Sequence, residues 1–305
     1  MPYVVKRIII MLITLVGVSL VAFFMLNLTG DPTNLLLPDD ATPAEREEFR
    51  EMMGFDKPLT EQYYKFAKDL LKGDFGYSYY YKVPAISLVL ERLPATIKLM
   101  AASMLLIIGV SVPIAISGTM GNSKIIKGID TVITFFGQSF PNFVNGILLI
   151  LVFSVFLGWL PPGGNEKGIK SLILPSIVLM LYGAPQMIRV LRTSLGSVKY
   201  MDFVRTARAK GQTEMKIMIF HILRNALIPF ITALGVQMGI LMGGSIVTET
   251  VFSWPGIGQL MITAINNRDY PVVQAGVLMT AFFIMSINLI VDLLYAVIDP
   301  RIRYD

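Results

Sequence analysis

Long apolar runs alternating with polar stretches of very unequal length dominate the hydrophobic pattern of the chain. The runs fall at roughly 8–28, 97–119, 132–157, 172–191, 226–247 and 272–298. About 20 apolar residues cross a bilayer as a helix, so each run predicts one transmembrane span. Lys6 and Arg7 ahead of the first run resemble the start of a signal peptide. That run, however, is longer than the roughly 7–15 residues of a signal core, and Thr29-Gly30-Asp31-Pro32 follows it instead of a small-residue cleavage site. A retained first helix is predicted. Pro113, Pro141, Pro175 and Pro185 interrupt later runs. They would kink soluble helices, but in a membrane neighbouring helices can satisfy the freed carbonyls.

The longest polar stretch, 29–95, holds more than half of the chain's 21 acidic residues and predicts a small subdomain outside the bilayer. Within it, 43–53 (PAEREEFREMM) predicts a helix with Thr42 as N-cap and Pro43 in the first turn. Residues 60–72 predict a second, with Tyr63, Phe66 and Leu70 on one face. Tyr77, Tyr79, Tyr80 and Tyr81 suit a lipid interface, as does Trp159 after the third run. The expected organisation is a first helix over 1–28, the subdomain over 29–95, a five-helix core over 96–298 with a loop at 193–225, and a tail at 299–305.

Composition agrees with this pattern. The 305 residues are 54% hydrophobic and 15% charged, with a mean hydropathy of +0.64, whereas soluble domains carry about 25% charge. There is no cysteine and a single histidine, His221. Disulfides, thiolate chemistry and multi-histidine metal centres are thereby excluded. The net charge of +5 does not point to nucleic acid, because the basic residues sit in short loops between apolar runs. Lys6, Arg7, Lys124, Lys127, the 189–224 segment, Arg301 and Arg303 fall on one side; Lys167, Lys170 and Arg268 fall on the other. The positive-inside rule then puts both termini in the cytoplasm and the 29–95 subdomain outside.

The 189–224 segment carries the densest signal. Residues 200–210 (YMDFVRTARAK) predict a short helix with Asp202 in its first turn and Gly211 as its left-handed stop. Thr213 is placed to cap a second helix, 214–223, with Glu214 at its positive end. Met201, Val204, Met215, Ile219 and Ile222 recur at helical spacing. A loop this apolar packs either on its own bundle, its arginines meeting anionic headgroups, or on a soluble partner. Spacing leaves both open.

The run RTARAKG at 205–211, followed by HILRNALIP at 221–229, resembles the coupling loop of binding-protein-dependent ABC importer permeases, the EAA loop. In that resemblance Arg205, Thr206 and Ala207 occupy the three EAA positions and Gly211 the loop glycine. Only Ala207 agrees with the general consensus, and Arg224 stands where many members have proline, the proline here being Pro229. Both departures are shared by the oligopeptide, dipeptide and nickel permease branch. GFDKPL (54–59), GDFGYS (73–78), ERLPATIKL (91–99), SFPNF (139–143), ETVFSWPGIGQL (249–260) and DPRIR (299–303) are similar to blocks of that branch, in the same order.

The resemblance implies an all-α membrane protein of about six transmembrane helices with the type I ABC importer transmembrane fold. It implies an ATPase-coupling site at Arg205, Thr206, Ala207, Arg208, Ala209, Lys210 and Gly211. It also implies four kinds of partner: a second homologous permease subunit, two cytoplasmic ATPase subunits, an extracytoplasmic substrate-binding protein and the bilayer of a prokaryotic plasma membrane. No cofactor is expected in this chain. It has no GxxxxGK[ST] phosphate loop, so ATP and Mg are expected on the ATPase subunits. Peptide is the first expectation for the cargo, with nickel, metal chelates or glutathione as alternatives.

Polar groups at membrane depth are the candidates for the pathway. Gln138, Asn142 and Asn145 would share a face of one kinked span, and Asn288 and Asp292 are i, i+4 in the last. The competing reading is that they only tie neighbouring helices together. An intramembrane enzyme is disfavoured by the absence of HExxH and of a matched acidic pair. A secondary transporter would call for inverted repeats, and none is visible.

Overall fold

The computed structural model describes residues 3–28, 33, 37, 41–121 and 123–298, without the side chains of 3, 4, 27, 28, 292 and 294–298. The tail expected at 299–305, with its DPRIR block, lies outside the described residues. So does the side chain of Asp292. The described chain is helical apart from an isolated bridge between Tyr77 and Pro84. Its helices are α1 (Tyr3–Leu28), α2 (Pro43–Met53), α3 (Leu59–Leu70), α4 (Ala85–Met120), α5 (Lys124–Ser139), α6 (Asn142–Phe156), α7 (Ile169–Val198), α8 (Asp202–Ala209), α9 (Glu214–Val251), α10 (Ile257–Asn266) and α11 (Tyr270–Ile298). Five of them are long and apolar enough to span a bilayer; the bent pair α5–α6, counted as one span, makes six.

The chain divides into two compact units, Met1–Thr96 with Pro255–Met285, and Ile97–Trp254 with Ser286–Asp305. In the first unit, α2 begins where the sequence places it. Thr42 and Glu45 form a reciprocal capping box at 2.7 and 3.3 Å, and the Thr42 donors hold the Glu45 carboxyl below its ordinary range. Helix α3 lays Tyr63 and Phe66 on Phe23 of α1, with ring centroids 5.4 and 5.6 Å apart, and the Tyr63 and Ser19 hydroxyls meet at 2.9 Å. The subdomain helix therefore grips the first span through the aromatic face that its periodicity predicts. The first amide of α10, Ile257 N–H, is capped by Thr96 Oγ1 at 2.9 Å.

In the second unit, α7 is the central helix. It is buried along most of its length, and its helix continues through Pro175 and Pro185. Helix α5 lies so close to it that a Cβ at Gly137 would sit 2.0 Å from the Leu181 carbonyl oxygen. Gly183 serves α7 in the same way, facing Ile107 of α4 and Gln237 of α9. Loose packing is not compensated by a hydrophobic drive between helices in lipid, so small residues at such crossings set how closely backbones approach.

Three expectations are corrected. The third apolar run is not one kinked helix: α5 and α6 meet at a bend of 119°. Pro141 causes it, since a residue before proline is pushed out of the helical region and Phe140 is extended (φ −118°, ψ 140°). Gln138 therefore ends one helix while Asn142 and Asn145 begin another, and the three do not share a face. Second, α4 starts at Ala85, so the end of the expected outer subdomain is already the first turns of a 36-residue helix about 54 Å long. Third, the short helix expected over 214–223 is not separate. It winds through a π-helical stretch, Met218–Leu223, directly into the next span. Thr213 sits at its N-cap but makes no side-chain capping bond.

Gly137→Ala should push α5 off α7 and cost about 1–3 kcal/mol, the usual price of overpacking. Gly109→Ala, with nothing within 4 Å of its would-be Cβ, should cost nothing. Thermal unfolding of the two variants in lipid nanodiscs, side by side, checks this.

Candidate functional site

The predicted elbow is present as a compact turn. Helix α8 starts with Asp202 in its first turn and ends at Ala209. Gly211 then takes φ +74°, a left-handed conformation that only glycine adopts without strain. Its N–H returns to Arg208 C=O at 2.9 Å, and Gln212 N–H to Ala207 C=O at 3.4 Å. Two side-chain contacts close the turn. Arg208 forks onto Glu214, Nε to Oε1 at 2.7 Å and Nη2 to Oε2 at 3.1 Å. Gln212 Oε1 meets His221 Nε2 at 3.0 Å. Planar bidentate pairing fixes orientation as well as charge, so the fork braces α8 against the start of α9.

This geometry sorts the candidate coupling residues. Ala207 is buried beside Val204, and in α9 Ile217, Met218 and Ile222 are buried; these residues fasten the elbow to its own bundle. Arg205, Thr206, Ala209, Lys210 and Gly211 are exposed, and Arg208 is half-buried by its fork. Arg205 keeps 74% of its side chain exposed, with only a loose 3.8 Å contact to Asp202. Tyr200, Met201, Phe203, Met215, Ile219 and Phe220 are large apolar side chains left exposed around them. An exposed apolar patch rimmed by charge on a helix end marks a surface that something else covers.

The bundle is tied tightly where it leads into the elbow. Arg192 Nη2 of α7 reaches Asp130 Oδ2 of α5 at 2.7 Å, beside a polar pocket of about 460 Å³ that Arg189 and Thr134 also line. Lys199 Nζ donates to the Thr119 carbonyl at the end of α4 at 2.9 Å, and Ser194 Oγ to the Ala226 carbonyl of α9 at 3.1 Å. Motion of the elbow thus meets α4, α5 and α9 together.

Of the polar residues proposed at membrane depth, Asn145 is 2% exposed and its Nδ2 donates to Phe136 C=O at 2.8 Å. Gln138 and Asn288 are exposed, and Asn142 is half-exposed. Asn288 lies on α11, away in sequence from α5 and α6.

Two carboxylates that the sequence does not single out are fully buried, Glu249 and Asp269. Asp269, at the head of α11, is fully buried and accepts from the Ser78 hydroxyl and from the N–H groups of Tyr79 (3.0 Å) and Tyr80 (3.3 Å). It clamps the tyrosine-rich turn ahead of α4 onto the last span. Desolvation first, then the charge of Asp269, raises the Tyr79 hydroxyl above its ordinary pKa and keeps it neutral. The tyrosine run is therefore split: Tyr77, Tyr80 and Tyr81 stay exposed, while Tyr79 is drawn inward. Beside the turn lies an open cleft of about 890 Å³, lined among others by Tyr64, Phe66, Tyr77, Lys57 and Lys82. The available signal was a lone acidic residue directly ahead of an apolar run, where carboxylates at helix N-termini are favoured.

These features belong to a transport component. Residues 109–304 match the family model described as binding-protein-dependent transport system inner membrane component, and residues 1–100 match its N-terminal companion. The chain belongs to this family and is a permease subunit of an ABC importer, in the peptide and nickel branch. It is 38% identical over 314 residues to the oligopeptide transport system permease protein AppB of Bacillus subtilis, covering 99% of both chains. It is 40% identical over 303 residues to the glutathione transport system permease protein GsiC of Escherichia coli K12, again covering 99% of both. Its fold is similar to that of the MetNI methionine ABC transporter in an inward-facing conformation, with TM-score 0.58 and 19% identity over 70% of this chain and 96% of the other. An amino acid ABC transporter aligns with TM-score 0.51 and 18% identity over 71% and 94%. At these identities the structural likeness speaks for the fold alone.

Two predictions follow from the geometry. Glu214→Ala should free Arg208 and speed amide hydrogen exchange across 208–214 several-fold while leaving exchange in α7 unchanged; equal exchange in the elbow would show that the fork braces nothing. Asp269→Ala leaves a hydroxyl and two N–H groups without an acceptor in a buried site. It should cost about 1–3 kcal/mol, read as a lower unfolding midpoint in detergent micelles, with Asp269→Asn losing less.

Proposed function

We propose that this subunit forms half of a translocation pathway for peptides, and that the α8 elbow is the handle through which ATPase subunits move it. The observation that carries the proposal is the elbow itself. It is a short helix held rigid by the Arg208–Glu214 fork and the Gly211 turn, with Arg205 and Thr206 exposed on it. A short helix seated in a groove of a partner moves as a rigid body, and ATP-driven closure of that partner then favours one of two bundle arrangements. The elbow lies on the cytoplasmic side in this reading, with both termini, because the basic residues of the short loops cluster there.

Arg205, Thr206, Ala209, Lys210 and Gly211 form the contact surface, extended by the exposed apolar side chains around them. Ala207 and Arg208 support it from behind. The partners are a second homologous permease subunit, two ATPase subunits that bind ATP and Mg, and an extracytoplasmic binding protein. The last would dock on the side carrying the outer subdomain and α10. Peptide cargo is favoured because relatives of nearly full length are permeases for oligopeptides and for glutathione, itself a peptide. Nickel or a metal chelate is the second reading, carried by the branch to which the chain belongs.

Arg205→Glu should lower ATP-dependent peptide uptake by about tenfold or more in reconstituted vesicles while the ATPase subunits still hydrolyse ATP. Uptake at the parent rate, or uptake that continues with every ATPase subunit disabled, would contradict the proposal.

A further inference from the structure

We propose that the break between α5 and α6 is a station in the pathway that binds the main-chain peptide group of the cargo. The inference rests on the peptide reading above and goes beyond it by assigning a site.

The depth of the break comes from its neighbours. Gly137, two residues before the end of α5, lies against Leu181 and Pro185, which fall at the middle of α7 (Ile169–Val198). Asn142, at the first turn of α6, faces Gly244 of α9 across 3.9 Å from its would-be Cβ. The α7 contact thus puts the break near the middle of that spanning helix, and Gly244 lies in the last third of α9. Non-helical backbone at that depth is tolerated only where protein buries it or where it lines a water-filled cavity. Gln138, Ser139 and Pro141 are exposed on this chain, so the chain does not bury the break by itself, and the proposal takes the second condition.

The break also offers both halves of a peptide-group partner. Pro141 makes no side-chain cap, and Val144 and Asn145 already return their N–H groups to Pro141 C=O. The N–H groups of Asn142 and Phe143 remain as donors, at the positive end of α6. Asn145 supplies the acceptor. Its Nδ2 is spent on Phe136 C=O in the last turn of α5, which holds the whole side-chain amide between the two helix ends. Its Oδ1 is buried there without a partner. A buried acceptor with no donor is costly, and a ligand presenting an N–H relieves that cost. A peptide unit presents both an N–H and a C=O, the two kinds of partner that these groups call for. Recognition through the main chain also admits peptides of different sequence.

The test uses the complete transporter in vesicles, with its binding protein loaded to the same extent in every case. The probe is a peptide and its analogue N-methylated at one internal bond, which has no N–H there. The parent protein should carry the analogue about fivefold more slowly or worse, and Asn145→Leu should carry both at one common, reduced rate. Equal rates in the parent protein, or discrimination that survives in Asn145→Leu, would overturn the site. Should Asn145→Leu fail to assemble, Ser139→Cys decides. The chain has no cysteine of its own, so in a cysteine-free complex a water-soluble thiol reagent should modify position 139 and peptide turnover should slow that modification. An unreactive thiol would overturn the proposal. Failure of the peptide reading itself would look different: the parent protein would take up neither peptide.

Discussion

In lipid, a backbone polar group has no water to turn to, and that constraint governs this structure. It explains why the described spans are helices and why α7, buried along much of its length, keeps its helix through two prolines. It also explains why a break like that at Phe140–Pro141 needs special support. Asn145 supplies part of it by taking up one of the carbonyls left open at the end of α5. The remaining open groups are what make the break chemically interesting.

The same constraint separates two kinds of polar residue that look alike in a sequence. Asp269 is a buried carboxylate satisfied by a hydroxyl and two backbone N–H groups of one turn; it fastens one segment to another and is used up in doing so. Asn145 is satisfied on one side only. Charge pairing falls between these cases: Asp130 and Arg192 are partly exposed, at 20% and 42% of their side chains, so water screens them and their contribution is geometric more than energetic. Together with the Lys199 and Ser194 bonds, they make the end of α7 a junction on which the elbow can pull.

Much of the fold was legible in the sequence because its signals are long-range in composition and local in cause. Apolar runs mark the spans, Thr42 and Pro43 mark the start of α2, Tyr63 and Phe66 mark the face of α3, and Gly211 marks the turn of the elbow. The break was only half legible: Pro141 announced a disturbance, but proline inside a run also occurs at 175 and 185, where the helix continues. What decides between the outcomes is whether neighbouring helices cover the freed carbonyls, and no window of sequence contains that information. The elbow's brace was hidden for a similar reason. Arg208 reads as a contact residue by its position, yet six residues on Glu214 claims it, and the exposed neighbours Arg205 and Thr206 are left to face outward. Asp269 was missed because its partners lie about 190 residues earlier in the chain.

The central claim is that the α8 elbow is worked from inside the cell by nucleotide-driven subunits. The most direct measurement places a single cysteine at Thr206 in this otherwise cysteine-free chain and asks from which side a membrane-impermeant thiol reagent reaches it. The account predicts no modification in intact cells, modification once the membrane is opened, and protection when the ATPase subunits are bound. Modification in intact cells would contradict it.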